Sequence, residues 1–383
     1  MESVSVAGHV VVAPDKFKGS LTAAAAAAAI RRGLHRIDEA LTVVECPIAD
    51  GGEGTLEAAL AAGFERVALT ALGPTGEPVT TAYARKGQSA VIEMADVSGL
   101  HRLVDGLPAP MGASSRGLGL VVAKALDDGC RHIVIGIGGS ACTDGGSGFL
   151  QGLGACLVDG RGYPIPDGGG SLGQAARLDL SGLHPGLRDA ELVIASDVDN
   201  PLCGPHGAAA VYGPQKGAHP DQVRQLNNAL DHWSHIVAAA TGQEMRDYAG
   251  AGAAGGVGFA GMAALRASMR AGIDVVLDLV GLEHHLRGAA AVITGEGCLD
   301  GQSLRGKAPV GVCARASTKR IPTFAIVGTC QLSPAQLAAS QFAEVYSLQD
   351  REPDMAKAMA EAAGLVADAA GDLAAAHLST HLA

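Results

Sequence analysis

The chain has 383 residues, of which 48% are hydrophobic but only 3% are aromatic, and its formal net charge is −11 at pH 7. This length predicts two domains, each with a core built from Ala, Val, Leu and Ile. The negative charge argues against nucleic acid and anionic membranes as partners, because both bind to basic surfaces.

The chain opens with two strand–loop–helix units. A β-branched run predicts a strand at 9–13, and after a polar loop an alanine-rich helix is predicted at 21–34, with Ser20 as its N-cap. A second strand is predicted at 41–46, and its loop leads into a helix that begins at Leu56. This alternation is typical of an α/β fold.

The pattern changes in the middle of the chain. Short β-rich runs separated by Gly- and Lys-containing turns occupy 66–94, which predicts a second domain starting near residue 67. Alternation then resumes, with a helix predicted at 115–128 and strands at 132–137 and 192–195.

The last part of the chain again shows the strand–loop–helix pattern of its beginning. Apolar residues at helical spacing predict an amphipathic helix at 221–240. Beyond it we predict strands at 291–294 and 323–327, a helix at 308–316 and a closing helix at 355–376. The two ends of the chain are therefore predicted to form one open-sheet domain, with the middle inserted as a second α/β domain.

Glycine-rich loops with charged residues follow the predicted strands that end near Ala13, Cys46, Ile137, Ala195 and Thr294. In open α/β sheets, ligands bind outside the carboxyl ends of the strands, where loop amides and helix N-termini face the crevice. The 54 glycines of the chain favour such close approaches of backbone to ligand. These loops are the predicted site.

Two of the loops carry candidate anion-binding residues. The first places Lys16, Lys18 and Ser20 before a helix N-terminus, which favours phosphate or carboxylate, although solvated turn lysines would give the same pattern. The last contains Arg305 and Lys307 in a near match to a P-loop. We reject a P-loop because alanine follows the lysine where Ser or Thr must ligate magnesium, and keep both cations as candidates.

Two other loops carry candidate acids. Asp50 and Glu53 lie among glycines, which suits magnesium, although acids at this position would also favour the following helix dipole. Asp197 and Asp199 end a strand and should point to opposite sides of it, so one of them faces a given ligand. Such an acid can orient a substrate hydroxyl.

The segment Gly136–Ala141 matches the dinucleotide fingerprint G-x-G-x-x-A after a strand. It supports an alternative, an NAD(P)-dependent hydroxy-acid oxidoreductase. The continuation through Gly145 and Gly146 argues against it, because a helix should already have begun there. A non-catalytic sensor of phosphorylated metabolites is a third class, but it would not need acids in so many of the loops.

Cysteines and apolar runs bear on location. The eight cysteines contain no Cys-x-x-Cys pair, so we predict reduced core thiols and neither a zinc site nor a redox dithiol. Residues 1–8 lack the basic region of a signal peptide, and the longest nearly apolar run, 21–30, is too short to span a bilayer. A cytoplasmic protein is therefore expected.

Taken together, the loops resemble the bacterial glycerate kinase family of the type that phosphorylates the 2-hydroxyl. The matching segments occur in the same order from residue 9 to about 330. They are Ala13–Ser20, Asp50–Thr55, Gly138–Ser140 with Asp144–Gly146, Ser196–Leu202, Tyr212–Gly217, and Thr294–Gly297 with Gly301–Ser303. The sequence departs from this family at Cys298, where arginine is usual, and at Cys142.

The resemblance implies ATP-dependent conversion of D-glycerate to 2-phosphoglycerate and ADP, with Mg²⁺ as cofactor. It also implies a flavodoxin-like domain formed by 1–66 and 288–383, an inserted α/β domain at 67–287, and an active site in the cleft between them. Glycerate is then the small-molecule partner, and a homo-oligomer is compatible with the sequence.

With this function as a hypothesis, the loop residues receive roles. Asp197 is the expected base, while Lys16 and Lys18 neutralise phosphate oxygens. Asp50, Glu53 and Glu296 are candidates for binding magnesium, either as ligands of the ion or by hydrogen bonds to its ligands. The remaining candidates are expected to bind substrate or nucleotide, with Arg305 and Lys307 assigned to the glycerate carboxylate: Ser20, Gly138, Gly139, Ser140, Asp144, Asn200, Lys216, Ser303, Arg305 and Lys307.

Overall fold

A computed structural model describes residues 8–301 and 303–378 of the protein, except for the side chain of Arg305. The fold is mixed α/β. None of the helices in these ranges combines the length and apolar character that crossing a membrane requires.

Strands and helices alternate along most of the chain. The strands are β1 (His9–Pro14), β2 (Val43–Glu45), β3 (Glu65–Leu72), β4 (Pro78–Lys86), β5 (Ser89–Glu93), β6 (His132–Gly136), β7 (Cys156–Val158), β8 (Arg177–Asp179), β9 (Glu191–Ala195), β10 (Ser268–Arg270), β11 (Ala289–Leu299), β12 (Thr323–Cys330) and β13 (Glu344–Ser347). The α-helices are α1 (Ala23–Ile37), α2 (Thr55–Ala61), α3 (Ala95–Ser98), α4 (Arg116–Asp127), α5 (Ser147–Gly152), α6 (Ala208–Tyr212), α7 (Pro220–Thr241), α8 (Val257–Leu265), α9 (Gly272–Leu279), α10 (Leu282–His285), α11 (Ala308–Thr318), α12 (Pro334–Ala339), α13 (Met355–Ala360) and α14 (Ala362–Leu373).

The chain divides into two compact units. Among the described residues, the first consists of 8–50, 57–62, 273–301 and 303–378, and the second of 51–56 and 63–272. The chain thus returns to the first unit at 273, earlier than the return at 288 expected from sequence. The helices α9 and α10 lie in this interval, and their apolar residues pack into the same core as Val11 and Ala13 of β1.

The first unit contains a five-stranded parallel sheet in its described part, in the order β13-β12-β11-β1-β2. Counted within this unit, the strand order is 2-1-3-4-5, so the direction of winding changes between β1 and β11. Side chains alternate between two cores: Val10 and Val12 face α1 and α14, whereas Val11 and Ala13 face α9, α10 and α11. Both faces are covered, which suits an apolar parallel strand.

The second unit contains a mixed sheet in the order β10-β9-β6-β5-β4-β3. Its β5, β6, β9 and β10 run parallel, while β3, β4 and β5 form an antiparallel meander. The β-rich run predicted at 66–94 is this meander. The strands β7 and β8 form a separate antiparallel pair.

Local details both confirm and correct the predicted elements. The amphipathic helix predicted at 221–240 is confirmed as α7. Ser20 is not the N-cap of α1: Thr22 accepts a hydrogen bond from the backbone N–H of Ala25 at 3.1 Å, while the Ser20 hydroxyl donates to the Phe17 carbonyl. The predicted closing helix is divided into α13 and α14, which meet at Glu361.

Candidate functional site

Loops at the carboxyl edge of the first unit's sheet surround a cavity of about 440 Å³, which we call the sheet-edge cavity. This is the edge at which open parallel sheets bind ligands, and the change of winding between β1 and β11 creates the crevice. Six of the residues expected from sequence to form the site line this cavity: Lys16, Lys18, Ser20, Asp50, Glu296 and Lys307.

The lysine loop is held in shape by Phe17, which lies between the two lysines. Its ring is only 2% exposed, and its backbone exchanges hydrogen bonds with Leu21 at 2.9 and 3.0 Å. Lys16 is half-buried and Lys18 is exposed. The chain turns at Gly19, whose φ of 82° favours glycine. Burying the aromatic residue therefore fixes a short loop whose lysines line the cavity.

The buried carboxyl groups of Asp15 and Glu296 line the same cavity, and each is 8% exposed. Burial raises the pKa of Asp15 to about 7, the negative charge of Asp50 adds to the effect, and Lys16 opposes it. Burial likewise raises the pKa of Glu296 to about 7, against a hydrogen bond from Ser303 and the charge of Lys307. Asp15 was not among the residues expected from sequence to form the site, although an acid directly after a buried strand was the available signal.

The donor set of the cavity suits magnesium. Glu296 Oε1 is buried and has no hydrogen-bond partner among the described residues, and the half-buried carboxylate of Asp50 lines the same space. Within the described ranges, no three acidic, His or Cys side chains are grouped closely enough to hold an ion by themselves. Magnesium usually takes one or two carboxylates and completes its shell with water and phosphate oxygens, so these two acids fit it.

At the far end of β11, Ser303 and Lys307 precede α11. Ser303 is fully buried: its hydroxyl accepts from Asp300 N at 3.1 Å, and its own N–H donates to the Asp300 carboxylate at 3.0 Å. Ser303 therefore shapes the turn and also bonds to Glu296, which lines the cavity. Lys307 is the N-cap residue of α11 and is half-buried. Arg305 belongs to a short 3-10 helix, and its side chain lies outside the described structure.

In the second unit, the glycine loop after β6 is tied down by a buried lysine. Lys216 is 2% exposed, and its ammonium group donates to Ser140 Oγ at 3.0 Å and to the Cys142 carbonyl at 2.5 Å. Burial lowers the pKa of Lys216, and the carboxylate of Asp144 opposes the change. The buried ammonium group of Lys216 thus fixes the loop after β6 through its hydrogen bond to Ser140.

Asp144 was expected to bind a ligand, and the structure places its carboxyl group in an internal hydrogen-bond network. Its carboxyl group is fully buried and accepts four hydrogen bonds, from the N–H and hydroxyl of Ser115 at 2.8 Å each, from Gly146 N at 3.1 Å and from Gly148 N at 3.2 Å. Burial raises its pKa while these bonds oppose the change. The carboxylate satisfies amides at the starts of α4 and α5, and so acts structurally.

The fingerprint-like glycines serve packing between loops. The helix after this segment, α5, begins only at Ser147, so its N-terminus does not follow the fingerprint directly. A Cβ on Gly136 would lie 2.6 Å from the Gly51 carbonyl, and a Cβ on Gly138 would lie 2.9 Å from the Gly52 Cα. These glycines therefore allow two glycine-rich loops to touch, and the dinucleotide interpretation loses its geometric basis.

The loop 51–55 is positioned by an acid that sequence analysis overlooked. Glu93 is 7% exposed, and its Oε2 accepts from Gly54 N at 3.1 Å and Leu56 N at 3.2 Å, at the start of α2. Like the selected acids, it lies at the end of a strand, which was the missed signal. Glu53, a magnesium candidate, is exposed and does not line the sheet-edge cavity.

The acidic loop after β9 places Asp197 and Asn200 differently. Asp197 is exposed, and its Oδ1 accepts from the backbone N–H of Gly272 at 2.7 Å. Asn200 accepts from the Tyr212 hydroxyl at 2.6 Å, while its amide group donates to the His206 carbonyl at 2.9 Å. Asp197 is thus the more accessible of the two, and Asn200 organises the loop around it.

Comparison with known proteins identifies close relatives. The model of the "Glycerate kinase family" matches residues 10–378. The chain is 44% identical over 323 residues to "Glycerate kinase" of Bacillus subtilis, covering 84% of this chain and 85% of the relative. It is also 44% identical over 324 residues to "Glycerate 2-kinase" of Escherichia coli, with the same coverage. A crystal structure of "putative glycerate kinase 2" from Salmonella typhimurium superposes with a TM-score of 0.86 at 40% identity, covering 97% of this chain and 98% of that one.

Proposed function

Because the chain belongs to the glycerate kinase family, we propose that it transfers the γ-phosphoryl group of ATP to the 2-hydroxyl of D-glycerate, giving 2-phosphoglycerate and ADP. The observation that carries this proposal is the 44% identity to a glycerate kinase and a glycerate 2-kinase over 84% of the chain. The comparisons lend no support to the oxidoreductase alternative.

Phosphoryl transfer asks a protein mainly for positioning and charge neutralisation. In our proposal, Lys16, Lys18 and Lys307 supply positive charge to phosphate oxygens in the sheet-edge cavity. The short loop closed by Phe17 limits the freedom of the two lysines before ATP binds. Arg305 remains our candidate for the glycerate carboxylate, because a guanidinium offers a bidentate grip. Lys307, which the sequence had paired with it, is given to phosphate instead because it lines the same cavity as Lys16 and Lys18.

We assign the removal of the hydroxyl proton to Asp197. Its carboxylate is exposed and is oriented by the backbone N–H of Gly272, so a proton acceptor is held in one position. Asn200 and Lys216 act behind it by fixing their loops, and Gly138, Gly139 and Ser140 provide the close-packed backbone around the substrate. Ser20 supports the lysine loop.

Magnesium would neutralise charge between the β- and γ-phosphates when bound. Asp50 and Glu296 are the residues that we expect to hold it, with Glu53 as a further candidate from sequence. To accept a cation, Glu296 must release the proton that burial favours, so the neighbouring lysines also help to ionise the site.

The finer architectural assignment belongs to this proposal too. We assign the first unit to a flavodoxin-like domain, which its 2-1-3-4-5 strand order supports, and the second to an inserted α/β domain. A cytoplasmic location and a homo-oligomer are compatible with this assignment.

A coupled ADP-release assay across a panel of hydroxy acids tests the function. We expect ATP- and Mg²⁺-dependent turnover with D-glycerate, and a phosphorus NMR spectrum of the product that shows coupling to the C2 proton. Reduction of NAD or NADP with glycerate, without ADP release, would establish the oxidoreductase instead. Coupling to the C3 protons would correct the regiochemistry.

A further inference from the structure

The sheet-edge cavity has two chemically different ends. One end carries the lysine loop and the acids Asp15, Asp50 and Glu296. The other is lined by Leu348, after β13, and by apolar side chains of α13 and the start of α14, including Met355, Met359 and Ala362. The residues that line the cavity belong to or follow all five strands of the sheet.

The apolar end has no use in binding glycerate, which is a small polar acid. Met355 is 52% exposed and Met359 is 39% exposed, although methionine side chains are usually buried. Two exposed methionines on successive turns of one helix form an adaptable apolar surface, and thioether sulfur makes favourable contacts with aromatic rings. The chemistry of this end therefore suits a flat aromatic ligand.

The two ends are continuous with each other. Gly19, in the lysine loop, lies so close to Met359 that a Cβ on the glycine would be 2.8 Å from the methionine Cε. A ring held against Met359 would thus lie beside Lys18, from which a chain of phosphates could extend to Lys16 and Lys307. The volume of about 440 Å³ is within the range of small-molecule sites.

The cavity also contains a carboxylate that can accept hydrogen bonds from a sugar. Glu352 lines the cavity, and its Oε1 accepts from the backbone N–H of Asp354 at 3.2 Å, while Lys357 contacts Oε2. The hydrogen bond from Lys357, and to a smaller extent that from Asp354, lowers the pKa of Glu352. The carboxyl group therefore stays ionised and can accept further hydrogen bonds. Carboxylates serve the same purpose for ribose hydroxyls in dinucleotide-binding folds.

We propose that Met355, Met359 and Leu348 form the subsite for the purine ring of the nucleotide, with Glu352 as the acceptor for its ribose hydroxyls. This assignment rests on the proposed kinase function for its donor nucleotide. The whole nucleotide then binds in the sheet-edge cavity, with its base at the α13 end and its phosphates at the lysine end.

The test measures ADP binding by calorimetry, without glycerate, for Met355→Ala, Met359→Ala and Met359→Leu. Loss of the apolar side-chain contact should weaken ADP binding by about threefold to tenfold in each alanine variant, whereas Met359→Leu, which restores an apolar side chain, should keep most of the affinity. Inorganic tripolyphosphate, which has phosphates but no base, should bind to all variants with the same affinity. Ile37→Ala is the matched control, because Ile37 is 46% exposed in the same unit but does not line the cavity.

The outcomes separate the subsite from the function. Unchanged ADP affinity in the alanine variants, or an equal loss of tripolyphosphate and ADP affinity, would overturn the purine subsite. A rise in the KM for glycerate with an unchanged KM for ATP would also overturn it, because the methionines would then contact glycerate and not the nucleotide. If ADP binding responds as expected while no hydroxy acid is phosphorylated, the subsite stands and the kinase proposal fails.

Discussion

Asp15 shows how the position of one carboxyl group in the fold changes its chemistry. It follows β1 directly, and the packing that buries this strand also removes water from the carboxyl group. The charge of Asp50 adds to the cost of ionising it. The fold therefore holds the proton of Asp15 to higher pH than an exposed aspartate would.

This proton should make stability depend on pH. The pKa of Asp15 rises from 3.8 to about 7 on folding, so the native state binds more protons between these values and loses stability as pH rises through this window. Asp15→Asn removes this titration. As pH rises from 5 to 8, the free energy of unfolding of the variant should therefore increase by about 1–3 kcal/mol relative to that of the wild type. Urea unfolding in EDTA measures this, with Asp199→Asn as an exposed control. Parallel profiles for Asp15→Asn and wild type would contradict it.

Lys16 gives a prediction for nucleotide binding. Lys16→Ala removes a cation that lines the sheet-edge cavity, and we expect kcat/KM for ATP to fall by about 10- to 100-fold, the effect of one charge-assisted hydrogen bond. Steady-state kinetics at fixed glycerate measures the change. The matched control is Lys86→Ala, whose ammonium group lies over the Phe64 ring 5.5 Å from its centroid. Equal losses in both variants would rule out a specific role.

Asp197 gives a prediction for the chemical step. Asp197→Asn keeps an oxygen that can accept from Gly272 N but loses the negative charge, so kcat should fall by about 10²- to 10⁴-fold with little change in the KM for glycerate. Asp199→Asn, two residues away on an exposed position, should retain most activity. Near-wild-type turnover of Asp197→Asn would end the assignment of this residue as the base.

At the scale of elements, the packing of α1 against α14 depends on one glycine. A Cβ on Gly33 would lie 2.0 Å from the Ala367 carbonyl and 2.8 Å from the Ala370 Cβ. The alanine-rich surfaces of the two helices allow a close approach, but only a residue without a side chain fits at this point. The sequence predicted the alanine-rich helix itself, while the importance of Gly33 required its partner helix.

Two glycines in this helix pair should respond in opposite directions. Gly33→Ala forces the helices apart and should destabilise the protein by about 1–3 kcal/mol. Gly364→Ala, in α14, meets nothing within 4 Å and should stabilise by up to about 1 kcal/mol through helix propensity. Thermal unfolding measures both. If both variants changed stability in the same direction, the close-approach argument would be wrong.

At the scale of the whole molecule, the eight cysteines differ in how far the fold buries their thiols. All eight lie in the described ranges and are free, but the predicted core position is confirmed for only the four that are buried; three are partly buried and one, Cys156, is exposed. Burial raises the pKa of Cys46 to about 12, which leaves little thiolate at neutral pH.

Thiol titration with DTNB should therefore proceed in classes. In the native protein, Cys156 should react first and the buried Cys46, Cys130, Cys142 and Cys313 last. Unfolding in guanidinium should release eight thiols without a reductant. A Cys156→Ser variant should lose the fast class, and fewer than eight thiols after unfolding would indicate a disulfide.

The sequence by itself determined the alternation of strands and helices, the charged glycine-rich loops and the family. These follow from local patterns: β-branched runs, helical periodicity, and the placement of Gly, Lys and Asp after strands. It therefore identified Lys16, Asp50, Glu296 and Lys307, which line one cavity.

Only the tertiary structure decided what these side chains experience, because burial depends on segments that are distant in sequence. Asp144 and Lys216 looked like ligand-binding residues and proved to be buried in internal hydrogen-bond networks. Asp15 and Glu93 were overlooked, since their burial arises where other parts of the chain pack on them. Likewise, the apolar end of the cavity exists because α13 folds back beside Gly19, a contact across 340 residues that no local pattern encodes.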